Sequence, residues 1–286
     1  MTVRDILNES AKSLEASDIP SARLDAEVLL SFCLGCERLE FYKNPGMTIS
    51  DTQLAAFRNL IARRLLWEPV AYITGRKEFW SFALEVNSSV LIPRPDTEII
   101  VEEALDIYHN FTSLPVRIVD IGTGSGAIAL ALALEIADAK VVATDISMAA
   151  LNLAKKNADT LGLQDKIDFR QGNLFEPVDG LFDIIVSNPP YIAANDYEDL
   201  PACVKVFEPR EALIAGENGL EFYKKLIYQA AGFVQKNGWL LLEIGAKQEA
   251  GVRGIIKGSG FYDNIEMRMD YAGLPRVIKA RRKVIG

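Results

Sequence analysis

The chain has 286 residues, of which 49% are hydrophobic and 24% are charged, enough for one large domain or two smaller ones. Its net charge of −8 argues against a broad phosphate-binding surface, although a local basic patch would be compatible with it. The chain has no long apolar run, and its three cysteines fit a reducing compartment. Its first residues do not show the pattern of a signal peptide, so we expect a cytoplasmic protein without a membrane segment.

The first quarter of the chain shows apolar residues at helical spacing. The pattern predicts helices over 3–17, 21–34, 39–42 and 51–67. In the second of these helices, Leu24, Val28, Leu29 and Phe32 form the predicted apolar face. We interpret residues 1–75 as a small helical domain.

Cys33 and Cys36 form a C-x-x-C in this domain. Redox and zinc functions are possible, but a zinc site needs about four ligands and only Cys203 and His109 remain. We therefore expect these cysteines to pack on a helical core face and predict no metal site.

Residues 77–92 change to an alternating apolar pattern. Phe79, Phe82, Leu84 and Val86 precede a turn at 87–89, and another apolar run follows at 90–92, which predicts a β-hairpin. We expect residues 76–95 to link two domains. A helix is then predicted from 96 to about 109, capped by Asp96 or Thr97.

From residue 116 the chain alternates between apolar runs and helical patterns. Such alternation predicts an α/β domain over 96–286, with a mostly parallel sheet and helices on both faces. The last two strands are predicted to form a hairpin on the sheet edge. The predicted strands are 116–121, 139–144, 167–171, 182–187, 238–244, 261–269 and 276–282, and the predicted helices are 126–136, 148–161, 218–236 and 246–257.

Two consecutive prolines follow the strand at 182–187. Since proline lacks an N–H and restricts its predecessor, the strand must stop at Asn188 and continue as a stiff loop. In open α/β sheets, ligands bind at the carboxyl ends of strands. There, the Asn188 oxygen and the Pro189 carbonyl could orient a planar NH2 group, on which Tyr191 could stack. These residues suit transfer of an electrophile to a weakly nucleophilic nitrogen. The alternative is that they only form a proline-stiffened turn where the chain leaves the strand.

A glycine-rich turn follows the strand at 116–121. It allows close approach of a ligand to the backbone, and the following helix N-terminus favours an anionic or polar group. The spacing also satisfies a dinucleotide pattern, but Asp-x-Gly-x-Gly-x-Gly together with Asn-Pro-Pro-Tyr favours S-adenosylmethionine (SAM) over NAD. The residues of the turn are Gly122, Thr123, Gly124, Ser125 and Gly126.

Two later strand ends complete the predicted cofactor site. Asp145 could accept both hydroxyls of a ribose, with a helix cap before Ser147 as the alternative. Asn173 could bond the edge of an adenine, and Leu174 could pack on its face.

These motifs resemble those of bacterial peptide-chain release factor glutamine methyltransferases, the PrmC/HemK family. The resemblance runs nearly end to end, and Ile-Pro-Arg-Pro-Asp-Thr-Glu, with the helical domain and hairpin, is its most specific part. Asn-Pro-Pro-Tyr is shared with DNA adenine methyltransferases and other nitrogen methyltransferases. The matching segments are 68–75, 78–79, 91–98, the glycine turn, 187–191, 207–210 and 241–245.

The resemblance implies a Rossmann-like, SAM-dependent methyltransferase domain with a seven-stranded sheet behind a helical domain that helps dock the substrate. It implies SAM contacts at the glycine turn, Asp145, Leu174 and Asn188, with S-adenosylhomocysteine as product. Residues 188–191, which include Pro190, would hold the glutamine of the Gly-Gly-Gln loop of class I release factors while its amide nitrogen is methylated. Asn173 departs from the usual Asp.

Four other functions remain possible at this point. A nucleic-acid base methyltransferase would use the same loop on an extruded base, but would need a basic channel or a target-recognition domain that this acidic chain lacks. An NAD oxidoreductase leaves Asn-Pro-Pro-Tyr unexplained, and a non-catalytic SAM-binding adaptor would not need it. A glutamine methyltransferase acting on a ribosomal protein is disfavoured only by the resemblance. We expect no nucleic-acid partner.

Overall fold

The structure is a computed structural model that describes residues 1–111 and 115–284. The chain forms two compact units. One comprises Met1–Arg76 with Pro201–Phe207, and the other comprises Lys77–Leu200 with Glu208–Gly286. Nothing in the sequence indicates that 201–207 belongs with the first unit. Residues 285–286 of the predicted last domain, and 112–114 within it, lie outside the described residues.

The first unit is helical and has its own apolar core. Both α1 and α4 begin with a capping box, at Thr2 and at Ser50, as N-terminal Ser and Thr favour. Its helices are α1 (Val3–Glu15), α2 (Ala22–Leu34), α3 (Leu39–Lys43), α4 (Asp51–Leu65), α5 (Val70–Thr74) and, numbered in chain order, α9 (Ala202–Lys205).

Two predictions for α2 and the residues that follow it have different outcomes. Cys33 and Cys36 pack against the helical core as free, half-buried thiols, as predicted, but only Cys33 lies in a helix, since Cys36 follows the end of α2. The apolar face predicted for α2 is only partly right: Leu29 is buried in the core, whereas the side chains of Leu24 and Phe32 are 46% and 48% exposed. Ala26, on the adjacent side of the helix, is buried as well.

A hairpin that is shorter than predicted follows α5. Its strands are β1 (Arg76–Phe79) and β2 (Phe82–Glu85), and they turn at Trp80, which has a φ of 56°. The prediction that 90–92 forms the return strand is wrong. The Ile92 N–H donates to the buried Glu208 carboxylate at 3.2 Å rather than to a neighbouring strand.

The main sheet has seven strands in the order β5-β4-β3-β6-β7-β9-β8. The first five are parallel, and β9 runs antiparallel between β7 and β8, which confirms the mostly parallel sheet. The order reverses between β3 and β6, where ligands bind in open α/β sheets. The strands are β3 (Arg117–Ile121), β4 (Lys140–Asp145), β5 (Ile167–Gln171), β6 (Phe182–Ser187), β7 (Val234–Glu243), β8 (Tyr262–Met269) and β9 (Pro275–Arg282).

Five helices accompany this sheet. Helices α10 and α11 cover one face and share an apolar core with β6 and β7, whereas α6 and α7 pack on each other and on the strands. No helix among the described residues is both long and apolar enough to cross a membrane. The helices are α6 (Glu98–Tyr108), α7 (Ala127–Glu135), α8 (Met148–Leu161), α10 (Glu221–Ala230) and α11 (Glu249–Ser259).

The boundary between α10 and β7 differs from the prediction. The helix ends at Ala230, not 236, and the strand starts at Val234, not 238. The Phe233 carbonyl accepts the Phe182 N–H at 2.8 Å, which pairs the segment with β6. A register shift and a left-handed Asn237, with a φ of 64°, break the apolar alternation that would otherwise reveal the strand.

Candidate active site

The glycine-rich turn follows β3 at the switch point. Gly122, Gly124 and Gly126 have φ values of 77°, 56° and 87°, a backbone conformation that side chains disfavour. A Cβ on Gly122 or Gly124 would meet no atom within 4 Å, so open space lies beside the turn, whereas one on Gly126 would lie 3.0 Å from Leu130 Cδ1. The turn is thus shaped to admit a ligand against its backbone.

Asp120 lies fully buried beneath this turn. Its Oδ2 accepts the Thr123 hydroxyl at 2.7 Å, and its Oδ1 has no hydrogen-bond partner among the residues described. Burial, together with the charge of Asp145, raises the pKa of Asp120 to about 7. The carboxylate therefore holds the turn at a cost in stability.

We expect Asp120→Asn to stabilise the protein increasingly as the pH rises. The folded pKa lies above the ordinary value of 3.8, so wild-type stability is fully present below that value and is lost as the pH rises through about 7. The difference in unfolding free energy between variant and wild type should grow by about 4 kcal/mol across this window. Urea unfolding without ligand measures it, with Asp263→Asn, at an exposed carboxylate, as control. A difference independent of pH would contradict this explanation.

Asp145 ends β4 beside the glycine turn, as predicted. Its carboxylate accepts the backbone N–H groups of Gly124 and Ser147, each at 2.9 Å, and burial raises its pKa. The Ser147 hydroxyl itself caps α8 through the Ala150 N–H at 3.2 Å. Asp145 is therefore not the side-chain cap of that helix.

The third part of the predicted cofactor site follows β5 and is less buried than the other two. Asn173 is exposed, and its backbone N–H donates to the Glu176 carboxylate at 3.2 Å. Leu174 is half-buried and packs against the apolar core with a φ of 51°. Contacts of either residue with an adenine stay predictions.

The loop 188–191 leaves β6 next to the glycine turn. The Ser187 hydroxyl donates to the Ile121 carbonyl at 2.6 Å, which ties the two strand exits together. Pro189 is buried, whereas Asn188, Pro190 and Tyr191 are half-buried. Burial also raises the pKa of Tyr191, so its phenol stays protonated near neutral pH.

The far end of this loop is held by Gln248, a residue that the sequence did not single out. Its amide donates to the carbonyls of Tyr191 and Gly219 at 2.8 and 3.0 Å. A Cβ on Gly219 would lie 2.5 Å from the Tyr191 carbonyl, so the close approach requires glycine. The loop is therefore fixed at both ends.

The segment before α6 also reaches this loop. Thr97 precedes the helix, but neither it nor Asp96 caps it through a side chain, so the capping prediction is wrong. Instead, the Thr97 hydroxyl accepts a hydrogen bond from the Asn188 NH2 at 3.2 Å. The motif Ile-Pro-Arg-Pro-Asp-Thr-Glu is the available signal for this contact, but from the sequence alone Thr97 is predicted only as a helix cap.

Charged residues surround the same segment. Arg94 pairs with Glu208, and Arg276 bridges Asp96 and Asp270 at 3.1 and 3.0 Å. These ion pairs join the segment to β9 and to the loop after α9. They fix its backbone beside the loop 188–191.

Glu243 is the last residue of β7 and is 1% exposed, and the charges of Arg94 and Arg276 act on it. Its Oε2 has no hydrogen-bond partner within the described part of the chain. Burial raises the pKa of the Glu243 carboxyl to about 7, and a hydrogen bond from Thr97 opposes that shift. Among the described residues, no group of three or more His, Cys, Asp or Glu side chains could hold a metal ion.

Comparison with solved structures defines the class of the second unit. A methyltransferase from Pyrococcus furiosus superposes with a TM-score of 0.53 at 20% identity, covering 79% of this chain and 99% of that one. The catalytic domain of hMettl16, solved with MAT2A 3'UTR hairpin 1, gives 0.59 at 16% identity, covering 88% and 90%. Residues 106–208 match the methyltransferase small domain model. The fold is that of a Rossmann-like methyltransferase.

Sequence comparison defines the family. Residues 5–75 match the PrmC N-terminal domain model. The chain is 41% identical to a release factor glutamine methyltransferase of Geobacter sulfurreducens, over 98% of this chain and 96% of that one. It is 44% identical to that of Yersinia pestis, over 91% and 92%. The chain belongs to the release factor glutamine methyltransferase family.

Proposed function

We propose that this protein transfers a methyl group from SAM to the side-chain amide nitrogen of the glutamine in the Gly-Gly-Gln loop of class I peptide chain release factors. The observation that carries the proposal is the bond between Ser187 and Ile121, which ties the amide-holding loop to the glycine turn. A cofactor in the turn and an amide on the loop would therefore be neighbours. Free half-buried thiols fit a cytoplasmic location.

The residues around the glycine turn fit SAM. The open space at Gly122 and Gly124 would admit it, Asp145 would accept the ribose hydroxyls, and Asn173 and Leu174 would meet the adenine. Thr123, Ser125, Gly126 and Asn188 complete the proposed contacts. Bound there, SAM would supply an electrophilic methyl group and leave as S-adenosylhomocysteine.

The protein's own contribution is to orient a weak nucleophile. The lone pair of an amide nitrogen is delocalised, so the site must hold the NH2 group in line with the methyl group. The Asn188 oxygen and the Pro189 carbonyl would each accept one N–H, while Tyr191 would stack on the amide plane. As positive charge develops on the nitrogen, the same two acceptors bind it more strongly than they bind the neutral amide.

A strong general base is not required in this mechanism. The methylated amide that first forms is very acidic and loses its proton readily. Pro190 keeps the loop rigid, and Gln248 holds the Tyr191 carbonyl at 2.8 Å. The buried Glu243 therefore needs no direct part in proton removal.

The test compares substrates from two chemical classes. Purified protein and labelled SAM are incubated with a class I release factor and, separately, with adenine-containing DNA. We expect label on the factor only, because a net charge of −8 disfavours a nucleic-acid partner. Label on the DNA would overturn the proposal in favour of base methylation.

We also propose that the helical unit helps dock the release factor. Leu24, Val28 and Phe32 lie four residues apart along α2, and the first and last are nearly half exposed. Such a stripe on a helix is available for an apolar contact with a partner.

We expect Leu24→Ser with Phe32→Ser to raise KM for the release factor about tenfold, since two partly buried apolar contacts would be lost. The rate on a short peptide that contains Gly-Gly-Gln should stay unchanged, because the peptide lacks the rest of the release factor that α2 would contact. Leu66→Ser, at another exposed apolar side chain of the unit, is the matched control. An unchanged KM for the factor would remove α2 from docking.

A further inference from the structure

We propose that Thr97 and Glu243 are positioning residues that determine which end of the Asn188 side-chain amide faces the substrate. The inference rests on the proposed function, because only amide methylation requires the oxygen of Asn188 to face the site. It adds a role for two buried side chains that the mechanism itself does not use. The contact between Asn188 and Thr97 joins residues that are 91 positions apart in the chain.

An asparagine side chain has two ends of similar shape and opposite hydrogen-bonding character. Its oxygen accepts hydrogen bonds, and its NH2 group donates them. An NH2 group facing the substrate would oppose the substrate NH2 and would repel the charge that develops there. Catalysis therefore needs a partner that binds the NH2 end of Asn188 and leaves the oxygen free.

Thr97 is that partner in the structure. Its hydroxyl lies 3.2 Å from Asn188 Nδ2 and accepts from it. A hydroxyl can also donate, so by itself it would tolerate either orientation of the amide. The Asn188 amide has a single orientation only if the Thr97 hydroxyl donates its one proton to another group.

Glu243 is the group that would accept this hydrogen bond. An ionised carboxylate only accepts, and the Thr97 hydroxyl would donate to it, since both side chains are buried and Thr97 acts to lower the pKa of Glu243. The hydroxyl then offers Asn188 lone pairs alone, which bind the NH2 end and exclude the oxygen. A protonated Glu243 could donate to Thr97, turn the hydroxyl proton towards Asn188 and invert the amide.

The local structure of α6 supports this assignment. A Thr at this position ordinarily caps the helix that follows with its side-chain oxygen, which stabilises the helix. The Thr97 side chain makes no such cap bond and is 4% exposed. Its hydroxyl is thus directed to Asn188 and Glu243 rather than to the helix N-terminus.

The orientation should depend on pH, because burial places the pKa of Glu243 at about 7. The acid form would predominate below that value and the orienting carboxylate above it. The groups that act on the Glu243 charge from the surrounding elements are Arg94, Asp96, Tyr191, Tyr223 and Arg276, the last of which is also paired with Asp270.

The test uses Thr97→Val, Thr97→Ser and Glu243→Gln. Loss of one hydrogen bond predicts that Thr97→Val lowers kcat roughly tenfold, with unchanged SAM affinity, and that Thr97→Ser restores the rate. Wild-type kcat should fall as the pH drops through about 7, and Glu243→Gln should abolish that fall. Equal rates for Thr97→Val and wild type, or equal defects in the Val and Ser variants, would overturn the inference.

A second measurement separates this inference from the proposed function. In NMR spectra of the protein without substrate, the side-chain NH2 protons of Asn188 should exchange slowly with solvent in wild type and Thr97→Ser. They should exchange at least tenfold faster in Thr97→Val, because their acceptor is gone. Equal exchange in all three proteins would overturn the positioning role even if release factor is methylated. Slow exchange in a protein that methylates no release factor would sustain the positioning role and refute only the proposed substrate.

Discussion

Asn188→Ala should lower kcat for release factor methylation about a hundredfold. The variant removes the side-chain oxygen that accepts one N–H of the substrate amide, and loss of one such oriented contact commonly costs roughly 3 kcal/mol in the transition state. Binding of SAM should weaken far less, because the glycine turn and Asp145 lie on other strand ends. Single-turnover rates and calorimetric SAM affinities separate the two effects.

The matched control for this prediction is Asn152→Ala. Asn152 is an exposed residue of α8, remote in sequence from the loop, and should leave both quantities unchanged. If Asn188→Ala weakened SAM binding as much as turnover, Asn188 would act only through its proposed contact with the cofactor, and its role in orienting the substrate would be refuted.

Asp145→Ala should show the opposite pattern. Its carboxylate would accept two ribose hydroxyls and already holds the Gly124 N–H at 2.9 Å. Hydrogen bonds to a charged acceptor contribute about 1.5–3 kcal/mol each, so we expect the Kd of SAM to rise about a hundredfold or more. At saturating SAM, kcat should stay within a few-fold of wild type, since no proposed contact with the substrate amide is lost.

Calorimetry on the variant and on Asp263→Ala tests this expectation. Asp263 is an exposed carboxylate on β8, so its loss should not affect SAM affinity. Unchanged SAM affinity in Asp145→Ala would mean that Asp145 only anchors the glycine turn and α8.

Local patterns in the sequence predict much of this fold. The alternation of apolar runs and helical patterns places all seven strands of the sheet, and a double proline marks where β6 ends. The hairpin is the main error, because Val90 and Ile92 are buried by tertiary contacts and not by strand pairing. Apolar periodicity cannot distinguish these two kinds of burial. The same limit applies to Leu24, whose apolar spacing predicts a core position although its side chain is 46% exposed.

The site is only partly predictable for a related reason. A glycine-rich turn and a double proline after a strand are each formed by consecutive residues. Residues 122–126 and 188–191 can therefore be recognised in the sequence. The roles of Thr97, Glu243 and Gln248 depend on contacts across the fold, such as the 57 positions between Gln248 and Tyr191. A Thr before a helix indicates a cap, and only the structure directs its hydroxyl elsewhere.

The most direct test of the central claim is to locate the methyl group. Wild-type class I release factor and a variant with Ala in place of the glutamine of Gly-Gly-Gln are incubated with the protein and SAM, then digested and fragmented in a mass spectrometer. The proposed function predicts one added methyl group on that glutamine side chain and none on the variant. Equal methylation of both proteins, or a methyl group on another residue, would contradict it.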